Sequence, residues 1–248
     1  MKTRSLILIG LLSFVLFVIA LFPASLALRL VGGASSGLPI VVEQVGGTIW
    51  SGFFQTRLPQ PVSGPLLVQW DLKALRLLMG ELALHLRMEG GQYRLEGDGF
   101  WGLWGKGVAD LNGDVQAAML EQVLSQYDVS AQGAIKVDAV SAKLSGQKVV
   151  SAGGNVSWSG GPVTVGGGGS PQNIDFPGVK GELAATEGNL ILIVTETRAN
   201  QALGELSLLP EQGLVGVKVL KRVLSLAGYG GQGDDDKTLL NLQQPLPF

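Results

Sequence analysis

The chain has 248 residues, of which 46% are hydrophobic and only 15% charged, with 37 glycines, one histidine and no cysteine. Eighteen basic residues against 20 acidic ones leave no cationic excess to neutralise a phosphate backbone, which argues against a nucleic-acid partner. The composition is neither that of a disordered chain nor that of a coiled coil, and the length suffices for a sizeable core.

From Ser5 to Leu28 there is no charged side chain. At 1.5 Å per helical residue this run reaches roughly 36 Å, against about 30 Å of hydrocarbon in a bilayer. It predicts a cytoplasmic stub and transmembrane signal-anchor helix over residues 1–29, with Leu6, Ile7, Leu8, Phe14, Phe17, Ile19 and Phe22 among the membrane-anchoring side chains. Lys2, Arg4 and the terminal amine precede the run and only Arg29 follows closely, so the positive-inside bias keeps the N-terminus in the cytoplasm and exports residues 30–248. Ser25-Leu26-Ala27 offers the small-x-small pattern that signal peptidases cut, but the uncharged run exceeds the 7–15 residues of a signal-peptide core. Phe22-Pro23 puts a helix break near its outer end, and a retained anchor is expected. Beyond Arg29 the chain is net acidic, which favours solubility over adhesion to anionic headgroups. With no disulfide to draw on, its stability comes from packing.

Residues 30–227 read as one β domain. Apolar and polar residues alternate in short runs separated by Gly, Pro or Asn, the period-two pattern of half-buried strands. The clearest run sets Leu82, Leu84, Leu86 and Met88 on one face and Glu81, Ala83, His85 and Arg87 on the other. Gly90-Gly91 supplies a turn, and Tyr93, Leu95, Val108 and Leu111 continue a β-meander. Further strands are expected over Ala134–Leu144, Val149–Trp158, Val179–Ala185, Leu190–Thr197 and Leu203–Leu208, each closed by a turn signal such as Ser145-Gly146 or Glu187-Gly188-Asn189. Helical patterning is confined to Leu72–Met79, Gln116–Gln126 and Val217–Ala227. The glycine run within Val165–Pro171 is a flexible loop and a candidate boundary between two halves of the sheet, and residues 228–248 form a Gly/Asp/Pro-rich tail. The expected fold is all-β, a mostly antiparallel twisted sheet or open half-barrel with a few short helices, plus one N-terminal transmembrane helix.

No motif carries chemistry. Residues 97–102 and 228–233 both match G-x-G-x-x-G, yet neither opens a periodic helix after a strand, as dinucleotide binding requires. His85 sits on the polar face of its strand, and one histidine without cysteine supplies neither the usual zinc ligand sets nor a cysteine nucleophile. Asp234-Asp235-Asp236 lacks the alternating spacing of a calcium loop and reads as solvated. No catalytic, cofactor-binding or metal-ligating residue is assigned, and no enzyme activity is expected. Trp50, Trp70, Trp101, Trp104 and Trp158 all lie near glycine in or beside strands, and most are expected in the core.

Gly47-Thr48-Ile49-Trp50-Ser51-Gly52, about twenty residues beyond Phe22-Pro23-Ala24, resembles the N protein family of the type II secretion system. Leu67-Val68-Gln69-Trp70-Asp71-Leu72 and Leu77-Leu78-Met79-Gly80-Glu81-Leu82 look like that family's strand, short helix and return strand, so Gly47, Thr48, Trp50, Gly52, Trp70 and Gly80 carry the likeness. It implies an accessory component, without a catalytic site, of the machine that moves folded proteins from the periplasm to the outside. It places the chain in a bacterial inner membrane, with other secretion subunits as partners. The family is also similar to bacterial proteins of the AsmA type, whose anchored sheets form an apolar groove, which makes a lipid-binding or lipid-transfer role the alternative.

The retained anchor is tested by intact mass of the protein purified from membranes: the full chain is expected, and a mature N-terminus at Leu28 would refute it.

Overall fold

The computed structural model describes residues 3–32, 41–58, 64–125, 128–166, 172–229 and 234–245. The chain divides at Gly91 into two compact units. In the first unit, α1 (Thr3–Ala20) and α2 (Ala24–Gly32) precede an antiparallel meander of β1 (Val41–Gly47), β2 (Ser51–Leu58), β3 (Gly64–Leu72) and β4 (Glu81–Gly90), with the single turn α3 (Ala74–Leu77) between the last two strands.

The expectation of one long spanning helix needs correction. Among the described residues, no helix is long and apolar enough to cross a membrane. Pro23 is the physical reason: it has no N–H, and its ring collides with the carbonyl four residues earlier, so the run breaks between Ala20 and Ala24. The uncharged part of α1, from Ser5 to Ala20, then reaches only about 24 Å.

Period-two patterning places the meander's faces as expected. Across the strands, Phe54 pairs with Val68 and Val68 with Met88, while Trp70 pairs with Leu86 and Leu72 with Leu84, making one apolar face. Gln69 opposite Arg87 and Asp71 opposite His85 make the polar one.

The second unit holds β5 (Tyr93–Gly102), β6 (Gly105–Gln116), a 3-10 turn (Ala117–Leu120), α4 (Glu121–Leu124), β7 (Val129–Ala131), β8 (Ala134–Ser145), β9 (Lys148–Trp158), β10 (Gly161–Val165) and β11 (Gln172–Phe176). It continues through β12 (Val179–Thr186), β13 (Asn189–Glu196), β14 (Ala202–Leu209), β15 (Leu214–Leu220), α5 (Arg222–Leu226) and β16 (Thr238–Pro245). Its large antiparallel sheet runs in the order β5-β6-β8-β9-β12-β13-β14-β15-β16, and β11-β10-β7 form a small second sheet. One cross-strand row reads Leu95, Gly113, Val137, Val156, Gly181, Val194, Gly204, Val219 and Leu240. A row of the opposite face reads Arg94, Asp114, Lys136, Ser157, Lys180 and Thr195. The large sheet is therefore amphipathic. At one end of its apolar face, Val129, Val163 and Phe176 of the small sheet and Leu124 line an open pocket of about 310 Å³ with Ile135 and Trp158.

Three parts of this unit differ from expectation. Val217–Leu220 continue a strand, so only Arg222–Leu226 of the predicted third helix is helical. Thr238–Pro245, read from composition as tail, pair along β15 as the edge strand. The small sheet was not foreseen, and of the expected loop between its β10 and β11 residues 167–171, with all but the first glycine of the run, lie outside the described residues.

Two bulges bend the second unit's sheet where β6 meets β8, with Asp110 at φ 50° and Ala139 at φ 49°, conformations that side chains seldom adopt. Asn112 satisfies both: its Nδ2 donates to the Asp110 carbonyl and its Oδ1 accepts the Ala139 N–H, each at 2.8 Å. Ser141 Oγ accepts the Asp110 N–H at 3.0 Å. Asn112→Ala removes two bonds worth about 0.5–1.5 kcal/mol each, so a loss of about 1–2 kcal/mol is expected in thermal or denaturant unfolding. An unchanged midpoint would show that the bulges hold without the amide.

Candidate functional site

The residues that carry the family resemblance build the junction between the apolar helix and the first sheet. Gly47 turns the chain out of β1 at φ +88°, where an added Cβ would sit 2.5 Å from the Ser51 carbonyl oxygen and 2.6 Å from Gly52 Cα. Thr48 Oγ1 accepts the N–H groups of Trp50 and Ser51, both at 3.3 Å, so the side chain replaces backbone partners within the turn. Gly52 lies under the Trp70 ring: a Cβ there would meet both that ring and the Gly46 carbonyl oxygen at 2.6 Å. The Trp70 indole donates to the Ile49 carbonyl at 3.2 Å and packs against Phe54 with ring centroids 6.2 Å apart.

Trp50 makes the decisive contact. Its indole N–H donates to the Ile19 carbonyl at 3.0 Å, in the last turn of α1. That carbonyl is the one Pro23 cannot serve, being four residues before it. The Ile49 N–H donates to the Phe22 carbonyl at 3.0 Å, and Pro23 and Thr48 form an antiparallel bridge. On the sheet side, the Leu72 N–H donates to the Trp50 carbonyl at 2.6 Å. Gly47, Thr48, Trp50, Gly52 and Trp70 thus come together, whereas Gly80, at φ +75°, ends α3 by donating its N–H to the Leu77 carbonyl at 3.0 Å.

Below the junction α2 lies over the apolar face of the meander. Ala24 and Ala27, with Phe54, Trp70, Leu84 and Leu86, line a cavity of about 400 Å³ whose walls are apolar. Ala24 is buried and its small side chain lets the helix approach. Of the anchor residues, Phe14, Phe17 and Ile19 are exposed on α1 and Phe22 is half-buried; Leu6, Ile7 and Leu8 have backbone in α1 and side chains outside the described set.

Exposed apolar side chains gather at two further places. In and after α3, Leu75, Leu78 and Met79 project into solvent. At the β5–β6 hairpin, Trp101 is 69% exposed and Trp104 76%, with Leu103 between them and the Lys106 ammonium 5.7 Å from the Trp101 ring centroid. These two tryptophans correct the expectation of a mostly buried set: period and neighbouring glycines locate a strand but do not say whether its tip is covered. Trp158, by contrast, is half-buried and donates its N–H to the Gln132 carbonyl at 2.8 Å.

The motifs set aside on sequence grounds fall where no ligand chemistry is assembled. Residues 97–102 lie within β5 and open no helix, and most of 228–233 falls outside the described residues. The three aspartates are not simply solvated. Asp236 pairs with Arg222 at 2.7 Å, Asp235 accepts from Ser225 Oγ at 2.8 Å, and the Asp235 carbonyl accepts the Arg222 N–H at 3.0 Å, which ties the segment to the start of α5. Among the described residues no three metal-ligating side chains cluster. Burial raises the Tyr93 phenol above its ordinary value, and its hydroxyl has no partner among the described residues.

Residues 39–223 match the family model described as type II secretion system (T2SS), protein N. That span contains the junction turn and closes inside α5, leaving out α1, α2 and β16. No curated protein and no solved structure matches the chain.

Trp50→Phe keeps most of the ring and loses only the bond to Ile19, so a cost of about 1 kcal/mol is expected. Trp50→Ala also removes the half-buried ring and is expected to cost about 3 kcal/mol, the low end for truncating an aromatic. Thermal unfolding of both variants checks the order; equal melting of Trp50→Ala and the parent would make Trp50 a surface recognition residue instead.

Proposed function

The chain belongs to the type II secretion system protein N family, and from that premise we propose that it is a non-catalytic accessory subunit, anchored in the bacterial inner membrane by α1. Its N-terminus lies in the cytoplasm and its β units in the periplasm, where they support export of folded proteins through contacts with other subunits of the machine. The observation that carries this reading is the bonded junction: an exposed apolar helix is fastened to a sheet by a tryptophan indole rather than by a free linker. A tryptophan at a helix end is where the membrane–water interface prefers it, since the ring is apolar and its N–H polar. Leu21 and Phe22 extend the apolar stretch, and local thinning of the bilayer offsets the remaining shortfall of α1. For protein contacts the second unit offers β16, an exposed strand whose outer side pairs with no other strand among the described residues.

A second reading, a groove that takes lipid, is favoured by one observation, the apolar cavity between α2 and the meander. Crosslinking in native membranes followed by affinity purification separates the two. Recovery of secretion-system subunits is expected; phospholipid without those subunits would refute the first reading in favour of the second.

A further inference from the structure

We propose that α3 and the residues just after it form a second membrane contact, placing Leu75, Leu78 and Met79 in the boundary between headgroups and acyl chains of the leaflet from which α1 emerges. This rests on the reading of α1 as a membrane anchor. The first observation is exposure: Leu75 is 75% exposed, Leu78 85% and Met79 70%, and α3 buries none of its residues. Three neighbouring large apolar side chains held in water call for an apolar partner.

The second observation fixes which partner, by position. The Leu72 N–H is bonded to the Trp50 carbonyl and the Trp50 indole to the Ile19 carbonyl, so the entry to α3 is two hydrogen bonds from the last turn of α1. The antiparallel order of the meander puts the β1–β2 turn and the β3–β4 connection at the same end of the strands. The Lys73 N–H donates to the Ala83 carbonyl at 2.8 Å, which seats the connection on β4 instead of leaving it to swing.

The third observation is chemical. Lys73 and Arg76 flank the leucines, and Arg29 lies exposed in the last turn of α2. Basic side chains with long apolar stems beside leucines are the make-up of interfacial segments, because the stem stays with the lipid while the charge reaches the headgroups. Arg76 is paired with Glu81 at 2.7 Å across an exposed surface, a weak pairing that leaves the leucines outward.

The chain has no cysteine, so a single introduced thiol can be labelled uniquely. Full-length Leu78→Cys, Leu75→Cys, Gly91→Cys and Phe14→Cys would each carry an environment-sensitive fluorophore and be reconstituted into vesicles of phosphatidylethanolamine and phosphatidylglycerol. Spin-labelled lipid with the quencher near the headgroup or deep in the chain would then be added. Labels at 75 and 78 are expected to be blue-shifted and quenched several-fold more by the shallow probe than by the deep one. The label at 14 should favour the deep probe, and the label at 91, in the turn at the other end of β4, should respond to neither. Quenching at 14 with none at 75 and 78 overturns the contact and leaves the anchor standing. Blue-shifted emission at 75 and 78 without quenching means that protein covers them, which also overturns it. Absence of quenching at 14 overturns the anchor and the contact together.

Discussion

A single backbone carbonyl organises the first unit. Pro23 cannot give the Ile19 carbonyl its α-helical donor, and from within the helix that carbonyl keeps only the long bond from the Phe22 N–H at 3.4 Å, which leaves room for a closer partner. The Trp50 indole supplies that partner from 31 residues away in the chain. With the Ile49 bond to the Phe22 carbonyl and the Pro23–Thr48 bridge, it seats the β1–β2 turn against the helix end that Pro23 creates. The glycines around Trp50 follow from the same requirement, since a Cβ at position 47 or 52 would push the turn off the surfaces it touches.

The sheets solve a different problem, that of a layer with only partial cover. Alternation gives each strand an apolar and a polar side, and register lines these sides up into continuous faces. On the polar side opposite charges meet across strands, as Asp114 meets both Arg94 and Lys136, each pair contributing a little. On the apolar side most residues are half-buried rather than enclosed, so the layer gains less from burial per residue than a two-layer sandwich. Cross-strand pairing and satisfied bulges therefore carry more of the stability than a deep core does.

What was legible in the sequence was what period and punctuation encode. Ala134–Leu144 and Val149–Trp158 were readable to within a residue or so of β8 and β9 because alternation and a Ser-Gly turn agree there. The Gly47–Gly52 segment stands out in the sequence by its glycines and tryptophan, but its role as receptor for a helix end is not readable there, because the bond to Ile19 depends on tertiary placement. Hydropathy overstated the helix because it sums side chains and does not register the missing N–H at Pro23. Composition misjudged residues 238–245, where leucines alternate with polar residues after an acidic, glycine-rich stretch, since edge pairing depends on β15 being free to receive them. Of the helix expected over Leu72–Met79 only Ala74–Leu77 is helical, with Leu72 ending β3, and nothing in its period told whether its leucines faced protein or solvent.

The connectivity has a kinetic consequence. Within the large sheet of the second unit, β5 pairs with β6, β8 with β9, and β12 through β16 each with the next, so most partners are adjacent in sequence. Each hairpin closes a short loop, and little entropy is spent before its contacts form. A chain delivered from its N-terminal end, from a ribosome or through a translocation channel, can therefore lay down one strand after another against a growing edge, needing few residues not yet delivered. There are two exceptions: β6 waits for β8 until the 3-10 turn, α4 and β7 have passed, and β9 waits for β12 until β10 and β11 have passed. Assembly is thus vectorial, with two pauses, and β16 closes it last.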